Sequence, residues 1–442
     1  MTRGTAGTAR PGRRAAAALM ASLALLAGCD SGDDAKPRKR PPASPAAREQ
    51  VPARSFLAQL IPPAGRALPN ARVPGQIKRQ VAGLPVEEKV AQLMLVGFKG
   101  TDATAPFLET LKRMDLGGVA LGRRNYVGRE ELATLSEAVR NAAAGRTRQP
   151  PFIVAQQEGG DFSAFPDLPP GAAPGELGTP SDGAVAARLT ARFLKRAGLN
   201  GVIAPSIDVG TGGSDPLGPR AFSDDPADVS RYGAAVVSAF RSAGMLSVPG
   251  HFPGVGAAAQ STDEGPTSVG LAMSELEKRD LPPFRAVIKA GAPAVLVGHA
   301  SYAPDSFVVP ASLSHEIEAN LLRGGLGFRG IAITDDLDAG AIVAGNTVAR
   351  AAVQAVQAGA DMVWISHPDD WEPAYRALLT AARTRRISPV RLNAAVTRIV
   401  TVKRELGLRN RAKSKAVVPA TTPVTPGATT TPAPGTTTTT VP

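Results

Sequence analysis

The chain has 442 residues, 43% of them hydrophobic and 20% charged, with a single cysteine and a formal net charge of +12. That length suits one large domain with flanking segments, and one cysteine excludes any disulfide within the chain. Residues 1–83 hold 14 Lys and Arg against 4 Asp and Glu, and residues 409–415 add four basic groups, leaving a near-neutral middle of 32 basic against 34 acidic residues; a nucleic-acid partner would require a basic face on the folded part, so none is expected.

In chain order, residues 1–28 have an Arg-bearing start, a short apolar run and small residues before Cys29, the layout of a secretory signal. The run is too short to span a bilayer. "LAGC" (Leu26–Cys29) resembles a bacterial lipobox, in which cleavage precedes the cysteine and the thiol is lipidated. The expectation is a lipoprotein on the outer side of a bacterial cell membrane, anchored through Cys29. Arg13 and Arg14 also suit a twin-arginine route. Residues 29–83 are Pro-rich and charged, which predicts an extended tether able to lie against anionic lipid or wall polymers.

From 84 to about 410 a unit repeats: a short apolar run, a loop, then an amphipathic stretch of helical length. The runs are LMLVGF (93–98), GGVAL (117–121), FIVA (152–155), GVIAP (201–205), LSVPG (246–250), AVLVG (294–298), IAIT (331–334) and DMVWI (361–365). Strands apolar on both faces belong to a buried parallel sheet. Eight βα units predict a single-domain α/β fold, a closed (β/α)8 TIM barrel, and no run is followed by the G-x-G-x-x-G turn of the rival open sheet. Active sites of such barrels lie at the C-terminal strand ends. Glu158 and Asp161 follow the third run, Asp208 and Arg220 the fourth, His251 the fifth, His299 the sixth, and Asp335 and Asp336 the seventh. Residues 411–442, ending TTTPAPGTTTTTVP, have almost nothing to bury and read as a disordered Thr/Pro-rich tail.

The motifs VAQQEGG, RAFSDDP, GHFPGVG, LGFRGIAITDDLDAGAI and AVQAGADMVWI, in this order, resemble glycoside hydrolase family 3, in particular its single-domain bacterial β-N-acetylglucosaminidases. The resemblance implies a retaining glycosidase without a cofactor, with Asp335 as the nucleophile that forms a glycosyl-enzyme. It implies that Arg220 and His251 contact the sugar, with Gln156, Glu158, Asp208 and His299 placed in the same binding site.

The sequence also departs from the family pattern. QQEGGD puts Gln156 at a sugar-binding aspartate and Asp161 at an arginine. In GHFPGVGAAAQSTDEGP, Gly250 stands at the family's lysine and Val255 at its second histidine, while Ser261 and Asp263 fall on the Asp and His of the usual acid/base dyad. Larger relatives take a glutamate from a second domain, but here the tail follows the barrel. Asp263 and Glu264 are therefore the carboxylates expected to protonate the leaving oxygen and activate water, since a carboxyl in a closing pocket can hold its proton near neutrality.

The four histidines, 251, 299, 315 and 367, lack ligand spacing, so no metal is expected. His315 reads as a solvated helix residue, and no nucleophile elbow marks a Ser-His-Asp triad. Two Trp and four Tyr favour a short pocket for one terminal sugar over a long groove. With the lipobox, the resemblance implies a monomeric, lipid-anchored hydrolase that removes a terminal β-linked N-acetylglucosamine-type sugar from a cell-wall or envelope glycan. The alternative is an inactive glycan-binding or scaffold barrel, and transfer to phosphate in place of water shares the same nucleophile.

Overall fold

The computed structural model describes residues 74–144, 149–212, 216–302 and 309–408. Cys29, the signal, all but the end of the tether and the Thr/Pro-rich tail lie outside the described residues. All eight apolar runs form strands of one sheet: β1 (Met94–Val96), β2 (Gly118–Ala120), β3 (Phe152–Gln156), β4 (Gly201–Ile203), β5 (Leu246–Ser247), β7 (Ala294–Val297), β9 (Ile331–Asp336) and β10 (Met362–Ile365). Every pairing is parallel, in the order β5-β4-β3-β2-β1-β10-β9-β7. The ring closes where the chain beyond β5 meets β7: Phe252 N–H donates to the Leu296 carbonyl at 2.8 Å and Gly298 N–H to the Phe252 carbonyl at 3.0 Å. This is the predicted barrel.

The strands are buried on both faces because helices wrap the ring. Their starts follow from local chemistry. Thr179, Thr347 and Ser388 accept an N–H of the first turn of helices Pro180–Arg196, Val348–Ala358 and Pro389–Glu405, and Asp225 does the same for Pro226–Ser242. Proline opens three of the four, where its missing N–H costs nothing.

Two features were not evident from the sequence. A two-residue ladder pairs β6 (Ser268–Val269) with β8 (Ser301–Tyr302) beside the barrel mouth. The stretch around SHEIEANLL, expected as an ordinary helix, is wound as a π-helix over Glu316–Gly325. His315 is exposed at its start, as its polar context predicts.

Candidate active site

A cleft of about 670 Å³ opens at the C-terminal ends of the strands and is lined by Gln156, Asp161, Arg220, His251, Asp263, Asp335 and Asp336, among others. Asp335 sits at the end of β9 with its side chain 12% exposed. Its Oδ1 accepts the Asp336 N–H at 2.9 Å, and Oδ2 lies 3.7 Å from His251 Nε2.

The polar wall opposite is held from behind. Arg220 donates from Nε and Nη2 to Glu158 at 2.7 and 2.6 Å, and stacks over the Phe162 ring at 5.3 Å. Burial works against the Arg220 charge, but Glu158 more than offsets it and the group is held above its ordinary value. Glu158 reaches this position because Gly159 turns the chain at φ +116°, where a Cβ would stand 1.9 Å from the Ala172 carbonyl. Gln156 donates to Glu158 Oε1 at 3.0 Å and lines the cleft.

His251 is anchored in the same way. Asp208, wholly buried, accepts from the His251 ring Nδ1 at 2.7 Å, from the His251 N–H at 3.2 Å and from the Val255 N–H at 2.9 Å. Arg220 Nη2 donates to His251 Nε2 at 3.1 Å, so the neutral ring carries its proton on Nδ1. Burial and Arg220 pull the imidazole down, but Asp208 and Asp335 outweigh them and raise it. Asp208 stays below the usual carboxylate range despite its burial, because His251 and the Val255 N–H favour its charge.

The loop 261–265 folds back onto the short helix Gly340–Val343 that follows β9. Gly340 N–H donates to the Asp263 carbonyl at 3.0 Å and Ala341 N–H to that of Thr262 at 2.9 Å. A Cβ at Gly340 would meet the Asp263 oxygen at 2.7 Å, so glycine permits this approach. Asp263 is exposed to solvent at the wall of the cleft; the protein crowded around it, then the charge of Asp335, push its carboxyl up. Val255 lines the same cleft as an apolar, 9% exposed side chain.

The structure thus brings Gln156, Arg220, His251, Asp263 and Asp335 to one cleft, and places four other candidates outside its lining. Glu158, Asp208 and His299 do not line the cleft: the first two pair with Arg220 and His251, and His299 is buried with Nδ1 on the Ser312 hydroxyl at 2.8 Å and Nε2 on the Asp336 carbonyl at 2.9 Å. Asp263 and Glu264 are both exposed, but only Asp263 lines the cleft, which leaves it as the carboxylate of the 261–265 loop beside Asp335. Sequence reasoning missed Arg123 and Arg124 behind β2 and Trp364 at the end of β10, all cleft residues. GRRNY directly after a strand was a usable signal; Trp364 was hidden in a strand. Among the described residues, no three His, Cys, Asp or Glu side chains converge as metal ligands would.

A (β/α)8 barrel with carboxylates, a guanidinium and an imidazole gathered in a cleft at the C-terminal strand ends places these groups where such barrels carry their active sites. The chain belongs to glycosyl hydrolase family 3: the family's N-terminal domain model matches residues 85–402. It is 36% identical over 297 residues to a beta-hexosaminidase of Stenotrophomonas maltophilia (strain K279a), covering 65% of this chain and 87% of the relative. Among solved structures it is similar to a family 3 β-N-acetylglucosaminidase from Paenibacillus sp. str. FPU-7, with TM-score 0.70 and 30% identity over 78% of this chain and 66% of that one. A β-N-acetylhexosaminidase from Beutenbergia cavernae gives TM-score 0.66 and 28% identity over 73% and 99% of the two chains.

Proposed function

We propose that the protein is a retaining β-N-acetylhexosaminidase of the bacterial envelope. Asp335 attacks the anomeric carbon of a terminal β-linked N-acetylglucosamine-type sugar, and Asp263 protonates the leaving oxygen. Asp263, now ionised, takes a proton from water, which attacks the glycosyl-enzyme and frees Asp335. Arg220 and His251 hold the sugar, in an orientation set by Glu158 and Asp208, and Gln156 offers a further acceptor.

The carrying observation is that Asp263 shares the cleft with Asp335 and is pushed up by burial and by the Asp335 charge, the condition a general acid needs. The named relatives above support the sugar class, and the LAGC motif supports attachment to the cell membrane through Cys29. The absence of a histidine from the dyad positions, held here by Ser261 and Asp263, favours a second reading, a barrel that binds glycan without cleaving it. Incubation with 4-nitrophenyl N-acetyl-β-glucosaminide, whose leaving group hardly needs an acid, separates the two. Release of nitrophenol with free sugar as co-product supports hydrolysis. A sugar phosphate formed in added phosphate assigns transfer to phosphate, and glycan binding without turnover supports the inactive barrel.

A further inference from the structure

The ladder between β9 and β10 is irregular at the proposed nucleophile. Ile333 lies level with Met362, but Asp336 lies level with Trp364. Over this span β9 uses one residue more than β10, which is a β-bulge, a device that re-aims side chains. Trp364 N–H is met by the Thr334 hydroxyl, Oγ1 accepting at 3.1 Å, and Thr334 is wholly buried. A buried N–H without an acceptor is costly, so this hydroxyl stabilises the irregular register.

The far side of the bulge is fixed by residue 336. Its Oδ1 accepts the N–H of Ser366 at 3.0 Å and of Asp338 at 3.2 Å. Its carbonyl accepts from Ala339 N–H at 3.0 Å and from His299 Nε2 at 2.9 Å. Its own N–H then points back to Asp335 Oδ1. Asp335 lies between these two anchors, Thr334 before it and Asp336 after it.

We propose that Thr334 is a positioning residue for the nucleophile: by accepting the Trp364 N–H it holds open the bulge that, with the frame closed by Asp336 and His299, turns Asp335 into the cleft. Without that acceptor the regular register is favoured, and a slip of one residue sends successive side chains to opposite faces. The inference explains why a hydroxyl residue precedes the aspartate pair in ITDDL. It rests on the glycosidase reading, with Asp335 as nucleophile.

The test compares Thr334→Val, which keeps the shape and removes the acceptor, with Thr334→Ser, which restores it. Turnover of 4-nitrophenyl N-acetyl-β-glucosaminide and the rate of covalent labelling by an activated 5-fluoro N-acetylglucosaminide are measured on folded protein. Misplacing a reacting group by an ångström costs on the order of 100-fold, so Thr334→Val should lose about that in kcat with KM little changed, and Thr334→Ser should recover most of it. Thr334→Val at wild-type kcat, or equal loss in both variants, overturns the inference. Should Thr334→Val not fold, His299→Gln, whose amide can donate to the Asp336 carbonyl, is expected to retain kcat where His299→Ala loses it, and equal loss in both overturns it. A wild type that is neither labelled nor active refutes the glycosidase reading and this inference with it; equal labelling of wild type and Thr334→Val refutes this inference alone.

Discussion

Changing Asp263 to Asn keeps the shape of the side chain and removes the carboxylate that the 261–265 loop brings to the cleft of Asp335. General acid–base assistance is typically worth 10²- to 10⁴-fold, or about 3 to 5 kcal/mol of barrier at ~1.4 kcal/mol per tenfold. Because Asp263 keeps solvent contact, water can replace part of its work, and the expected loss on a natural disaccharide is about 10²-fold. An aryl glycoside with a good leaving group should lose far less in the glycosylation step, and azide should recover part of the remainder by attacking the glycosyl-enzyme without base help. The pH profile carries a second sign. Asp263 acts while protonated and burial holds its carboxyl above the ordinary value, so wild-type kcat/KM falls as pH rises through that raised value, and the Asn variant lacks this limb. Equal activity of wild type and Asp263→Asn on the natural disaccharide, with the same pH profile, would refute the assignment.

Three further outcomes follow from the packing and the motifs. Glu318 is wholly buried in the π-helix with both carboxyl oxygens unpartnered, and burial, against the pull of Arg323, pushes it up to about 8. The folded state then keeps a proton that the unfolded chain releases near the ordinary value of 4.5. Stability therefore declines as pH rises from about 5 to 8, by at most ~1.4 kcal/mol per unit, and urea unfolding should show Glu318→Leu gaining on wild type across that range; a pH-independent difference contradicts this. Glu158→Gln leaves the Arg220 cation without its counter-charge and should cost about 3 kcal/mol in urea unfolding as well as raise KM; unchanged stability would show that the pair is not needed. Cys29→Ser should move the protein from the membrane to the soluble fraction without changing the melting temperature of the barrel, and unchanged partitioning removes the anchor.

The barrel was legible because each strand is apolar on both faces and the runs alternate with helices, several of which start at a side-chain cap such as Thr179 or Asp225. The β6–β8 ladder was not, since two residues on each side carry no periodic signal. Glu318 was hidden for the opposite reason: a charged residue in an amphipathic helix reads as solvent-facing until its neighbours are known. At the site, motif register placed Asp335, Arg220, His251 and Asp263 in the cleft. It could not tell a side chain that lines the cleft from one that orients a neighbour, which is why Glu158, Asp208 and His299 were placed with the others though they lie behind it. Their partners come from different βα units: Glu158 follows β3 and Arg220 follows β4, 62 residues on. The part played by Thr334 depends on the register of β9 against β10, which is a property of the closed barrel and not of either segment.

The central claim, that Asp335 is the nucleophile of a working retaining glycosidase, is tested most directly by covalent trapping. An activated 5-fluoro N-acetylglucosaminide keeps the acetamido group and slows both steps, so the glycosyl-enzyme accumulates and can be weighed intact, digested and mapped. The account predicts one sugar per chain, carried by the peptide that contains ITDDL and attached to Asp335, with no label on Asp335→Ala. Label on Asp336 or on a carboxylate behind another strand, or no label on a folded wild type that still binds the sugar, would contradict it.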